Sequence, residues 1–143
     1  MSRSTTLGFK FDQMPDFIEI VAAVRTKGGV FAIDEKLFFV ENSNGMYDWI
    51  FGDPIDESSI LALLAEKSAA SVEVGIRVAW PDANRGGTVL VYPSLNQISF
   101  MPDAGSPAVP SAPEFTSLGW FLDRLTADFA PLGLQSVTAS DIP

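Results

Sequence analysis

Between Asp34 and Glu57 the chain carries seven acids, Asp34, Glu35, Glu41, Asp48, Asp53, Asp56 and Glu57, against one base, Lys36, with Tyr47 and Trp49 set among them. The six net charges of that window are two-thirds of the excess of the whole chain, whose 18 acidic and nine basic residues give −9. Protein interfaces anchor themselves on aromatic side chains inside a charged rim. The window therefore points to a docking surface made of Glu41, Tyr47, Asp48, Trp49, Asp53, Asp56 and Glu57. A negative field attracts and steers a basic protein partner and repels nucleic acid and anionic membranes. The competing expectation is a solvated run of strands and turns with both aromatic rings in the core. The two differ at Trp49, where an interface ring costs binding when removed and a core ring costs stability.

Other chemistry is narrowly bounded. The 143 residues include no cysteine and no histidine, which removes thiolates, disulfides, sulfur metal sites, the commonest general base and the commonest zinc ligand. Asp53, Asp56 and Glu57 resemble a hard-cation cluster, but Asp53 followed by Pro54 is also how a helix begins, with acids in its first turn. A calcium loop centred on Gly45 fails, because Val40 and Phe51 would occupy its first and twelfth positions. A pair of carboxylates can run acid–base catalysis without histidine when burial raises one pKa, yet no spacing singles out a pair. No G-x-S-x-G elbow is present, and Lys10, Lys27, Lys36 and Lys67 stand in no nucleophile motif. Lys27-Gly28-Gly29 and Asn84-Arg85-Gly86-Gly87 match neither phosphate-binding fingerprint and read as a helix end and a hairpin turn. Neither a cofactor nor a metal is implied.

The elements that would position these residues follow from periodicity. From Ser71 to Met101 the chain alternates like a three-stranded meander, with Val72, Val74, Ile76, Val78 and Trp80 on one face and Glu73, Gly75, Arg77 and Ala79 on the other. A first meander is expected at 30–33, 36–40 and 47–51, the Asn44-Gly45 pair supplying a hairpin turn. Phe17, Ile20, Val21 and Val24 predict a helix over 14–26 with Pro15 in its first turn, and Gly28 and Gly29 end it. A second helix is expected over 54–68 behind Asp53. A third carries Leu118, Phe121, Leu122, Leu125 and Phe129 on one face, capped by Thr116 or Ser117. The stretch 102–115 holds Pro102, Pro107, Pro110 and Pro113 and reads as a stiff connector. Leu7 to Phe11 fits either a strand or an anchored arm, and Gln135 to Thr138 fits a short edge strand.

These readings give an α+β fold: one domain over 1–143, an antiparallel sheet of about six strands in two meanders, and three helices packed against it. At this length folding hides about 70% of the surface that the unfolded chain exposes, and the 11 Phe and three Trp are enough to build a core. Residues 1–10 lack the apolar stretch of a signal peptide, and no apolar run reaches the roughly 18 residues of a bilayer span. The expectation is a soluble, cytoplasmic, non-enzymatic binding protein that neutralises or chaperones a basic partner, an inhibitor or toxin-immunity protein being its concrete form. A homo-oligomeric assembly subunit and a histidine-free carboxylate enzyme are the alternatives.

Overall fold

A computed structural model describes residues 4–143. Helix α1 (Phe17–Thr26) buries Phe17, Ile20, Val21 and Val24, the stripe that its 3.6-residue period dictates. Its start lies later than expected, because Asp16 is the capping residue and its own N–H donates to Glu19 Oε1 (3.3 Å), leaving Pro15 outside the helix. Gly28, at φ +96°, takes the left-handed conformation that ends α1. Asp53 caps the second helical segment, accepting from the Ile55 N–H (3.0 Å). A short 3-10 turn over Pro54–Asp56 leads into α2 (Glu57–Ala69). Helix α3 (Gly119–Phe129) starts at Leu118 with no side-chain cap, so neither Thr116 nor Ser117 plays the expected part. None of these helices is long and apolar enough to cross a membrane.

The fold is α+β and the sheet is antiparallel, but it has more strands than expected. Nine strands form one curled sheet: β1 (Ser4–Phe11), β2 (Ala32–Ile33), β3 (Lys36–Ser43), β4 (Met46–Tyr47), β5 (Ile50–Gly52), β6 (Val74–Trp80), β7 (Arg85–Tyr92), β8 (Gln97–Pro102) and β11 (Leu134–Ile142). Their main order is β11-β1-β8-β7-β6-β3-β2, with β4 and β5 also paired to β3. The two expected meanders join where Phe39 of β3 pairs with Ile76 of β6. Leu7 to Phe11 belongs to a full strand inside the sheet, between β8 and β11. The terminal edge strand runs nine residues, not four. The proline-rich connector contains a small separate hairpin, β9 (Ala108–Val109) with β10 (Ala112–Thr116). The third strand of the first meander breaks at Asp48 and Trp49, which lie outside β4 and β5.

Turn chemistry fixes the central meander. Trp80-Pro81-Asp82-Ala83-Asn84 and Tyr92-Pro93-Ser94-Leu95-Asn96 are the same device used twice, a proline-initiated turn closed by an asparagine at φ 52° or 50°. Proline presets the first turn residue and asparagine tolerates the left-handed region. Alternation then sends Val74, Ile76, Val78 and Trp80 of β6, Val89 and Val91 of β7, Ile98 and Phe100 of β8, and Leu7, Phe9 and Phe11 of β1 to the face that the helices cover. Phe129 of α3 stands edge-on to Phe9 (5.2 Å) and Phe11 (6.0 Å), holding that helix to the sheet. The opposite face carries Val40, Gly75, Leu90, Tyr92 and Met101, none of which a helix covers.

Candidate functional site

On this helix-free face six side chains enclose a groove of about 300 Å³: Val40 of β3, Tyr47 of β4, Trp49, Leu90 and Tyr92 of β7, and Met101 of β8. Strand register explains their convergence. Gly75 pairs with Val40 on one side and Leu90 on the other. A Cβ on Gly75 would stand 2.5 Å from Leu90 Cδ2 and 2.9 Å from Val40 Cγ1, so only glycine lets those two side chains close over the strand and form the floor. Tyr47 lies opposite Asn42, two residues beyond Val40 on the same face, and this puts its ring at the groove's edge.

Tyr47 and Trp49 are surface residues, 42% and 41% exposed, so neither ring belongs to the core. Phe51, 64% exposed, shares the groove's face through its pairing with Phe38, whereas the exposed Met46 and Ile50 pair with Ser43 and Phe39 and alternate to the other side of the sheet. Next to the groove, Phe51 stands edge-on to Phe38 (4.9 Å), and both rings already hold cations of this chain. Lys36 Nζ lies 5.6 Å from the Phe51 centroid and the Arg77 guanidinium 5.6 Å from that of Phe38. Arg77 is also paired with Asp103 (2.8 Å).

The seven residues anticipated from the sequence do not assemble into one acidic rim. Tyr47 and Trp49 come together in the groove, with the exposed Asp48 between them in the chain. Glu41 falls on the opposite side of β3, where its carboxylate lies 3.8 Å from Lys67 of α2. Glu57 forms an ion pair with Arg25 at the end of α1, and Asp53 is occupied as the helix cap. Asp56 is exposed at the start of α2. Glu73 was missed. Its carbonyl accepts from the Asn42 N–H (2.8 Å), which places it in the cross-strand row between Asn42 and Tyr92, on the groove's face. Burial, and secondarily the Glu73 charge, push the Tyr92 hydroxyl above its ordinary pKa. Among the described residues no base pairs with Asp48 or Glu73.

A second cavity, about 470 Å³, opens between α1 and α3 against Ala22, Ala23, Lys27, Ala127, Asp128 and Leu132. Asp128 is only 6% exposed and neither of its carboxylate oxygens has a hydrogen-bond partner. Burial raises its pKa from 3.8 to about 6, against the lowering influence of Lys27 and Arg124. Among the described residues no cluster of three or more potential metal-ligating side chains is present.

The class defined by this architecture is an α+β protein whose helices cover one face of a curled antiparallel sheet and leave an aromatic groove on the other. Comparison with protein-family models, with curated proteins and with solved structures finds no match to this chain.

Proposed function

We propose that the chain is a non-enzymatic binding protein that docks a basic protein partner through the edge formed by β4, β5 and the groove, in the manner of an inhibitor or toxin-immunity protein. The observation that carries this reading is the exposure of Tyr47 and Trp49, with Phe51 on the same face of the sheet. Exposed large apolar rings gathered on one face are a common mark of an interaction site on a folded protein. Charge chooses the partner's sign: the chain carries −9, and among the described residues no base pairs with Asp48 or Glu73. The aromatics supply affinity, and the acids supply steering and sensitivity to salt.

The test is capture from the native lysate by tagged wild type, Trp49→Ala and the double variant Asp48→Asn with Asp56→Asn, washed at low and at high salt. A basic protein held by wild type should be lost with Trp49→Ala and weakened by salt and by the double variant, while all three proteins keep the same denaturation midpoint. Retention by Trp49→Ala at wild-type strength sinks the proposal.

One observation favours self-association as a second reading. Among the described residues strand β11 pairs with no strand but β1, which leaves its other edge unpaired, and residues 134–140 carry no charge. Such an edge is a template for a second copy. Sedimentation showing a mass that doubles with concentration supports this reading, and a monomer at all concentrations removes it.

A further inference from the structure

Resting on the docking proposal above, we infer that the groove is a receptor for one alkyl cation, an arginine or lysine side chain of the partner, held between Tyr47, Trp49 and Tyr92. All three rings line the same 300 Å³ space, and among the described residues none of the three is engaged by another ring or by a cation. That separates them from the other exposed rings of this surface. Phe38 and Phe51 each hold a base, and Trp120, on the helix side, lies within 5.8 Å of the Arg85 guanidinium and 5.2 Å of that of Arg124. Elsewhere several of the chain's own bases sit over ring faces, and among the described residues none does so at the groove.

Two further features select a cation over a plain apolar side chain. Glu73 lies in the cross-strand row beside Tyr92, close enough for its charge to oppose ionisation of the phenol, so a carboxylate stands beside that wall of the groove. Asp48 adds an exposed carboxylate in the chain between the two rings of the opposite wall. The floor of Val40, Leu90 and Met101 matches the other half of such a ligand. A long basic side chain buries its methylene stem on apolar surface and keeps its charged head among π-faces and carboxylates at the rim.

The experiment uses small probes, n-butylguanidinium and n-butylammonium, with n-butylurea as the neutral near-isostere of the first, and follows indole N–H resonances by NMR. Trp80 and Trp120 serve as internal controls for Trp49. The cations should shift Trp49 and bind at least about fivefold more tightly than the urea, the scale of one partly desolvated cation–π contact. Glu73→Gln should weaken the cations and leave the urea unchanged, a comparison that leaves Trp49 itself unaltered. The stronger of the two cations identifies the side chain as arginine or lysine. Equal binding of urea and cations, or no shift at Trp49 with any probe, overturns the cation receptor. The docking proposal is judged separately by the Trp49→Ala capture, so either can fail while the other stands.

Discussion

Replacing Asp128 with asparagine should make the protein more stable at neutral pH, an unusual result for the loss of a buried side chain. Asp128 is 6% exposed, faces α1 from α3, and has no hydrogen-bond partner for either oxygen. The bases that act on it are Lys27, at the end of α1, and Arg124, one turn earlier on α3, while Glu19 of α1 lines the same cavity; the attraction of the bases does not outweigh burial, so its pKa rises from 3.8 to about 6. At about 1.4 kcal/mol per tenfold change in proton affinity, keeping this carboxylate ionised in the folded state costs about 3 kcal/mol. The sign follows from proton binding. Between pH 3.8 and about 6 the folded protein holds a proton that the unfolded chain has released, so stability falls as pH rises through that window and levels off above it. Asparagine mimics the protonated form and never incurs the penalty. Urea denaturation of both proteins at pH 3.5 and pH 7.5 should show equal stability at the acid end. At the neutral end Asp128→Asn should lead by up to about 3 kcal/mol, a ceiling because the new amide also lacks partners. A variant that is less stable at pH 7.5, or a gap that does not change with pH, would refute the reasoning.

Two further outcomes follow from the register and the groove. The Phe11 N–H donates to the Asn96 carbonyl, so the alternate residues Leu7, Phe9 and Phe11 of β1 turn their backbone groups to β8, while Gly8 and Lys10 turn theirs to β11. Thr138, opposite Gly8, therefore bonds into the sheet and Ala139 points its N–H outward. Ala139→Pro should be tolerated to within about 1 kcal/mol and Thr138→Pro should cost about 3 kcal/mol or more, measured by thermal unfolding; equal losses would show the register to be wrong. The chain has two tyrosines, so spectroscopic titration resolves Tyr92 readily. It should ionise above 10, and Glu73→Gln should bring it only part of the way down, because burial is the larger cause.

Much of the fold was readable because helices and meanders announce themselves within short windows. Phe17, Ile20, Val21 and Val24 mark α1 by spacing alone, and the alternation of Val74, Ile76, Val78 and Trp80 marks β6 and its buried face. Leu7 to Phe11 was ambiguous for the opposite reason. A five-residue apolar stretch does not say what it pairs with, and the partners of β1 lie at the far end of the chain, in β8 and β11. The strand count was low partly for the same cause, since β1 pairs only with strands far along the chain, and partly because the expected strand over 47–51 divides at Asp48 and Trp49 into β4 and β5. The site was half legible. Tyr47 and Trp49 stood out by residue type among acids, but the acids themselves were scattered by local duties: Asp53 to a helix cap, Glu57 to Arg25, Glu41 to Lys67. The other half, Leu90, Tyr92 and Met101, sits on the alternate positions of strands whose first face already fills the core. The signal was present in β7, where Leu90 and Tyr92 are large apolar residues on the side that alternation leaves uncovered.

That uncovered side also determines how the groove can be tested without touching its rings. A sheet face that only meets water favours polar side chains, yet here Val40 is fully buried with no helix above it, and Gly75 is the position that lets Val40 and Leu90 meet. Gly75→Ala would drive a methyl into both, at 2.9 and 2.5 Å, and raise the floor of the groove. Gly29→Ala is a matched control, since its Cβ would stand 2.7 Å from the Val24 carbonyl, in the loop after α1 and away from the groove. Both should lose about 1–3 kcal/mol through overpacking. Under conditions where both remain folded, only Gly75→Ala should lose affinity for n-butylguanidinium, by about tenfold if the methylene stem is expelled from the floor. Equal affinity in the two variants would mean that the probe does not rest on Val40 and Leu90, and the exposed rings would then have to recognise their ligand without a groove.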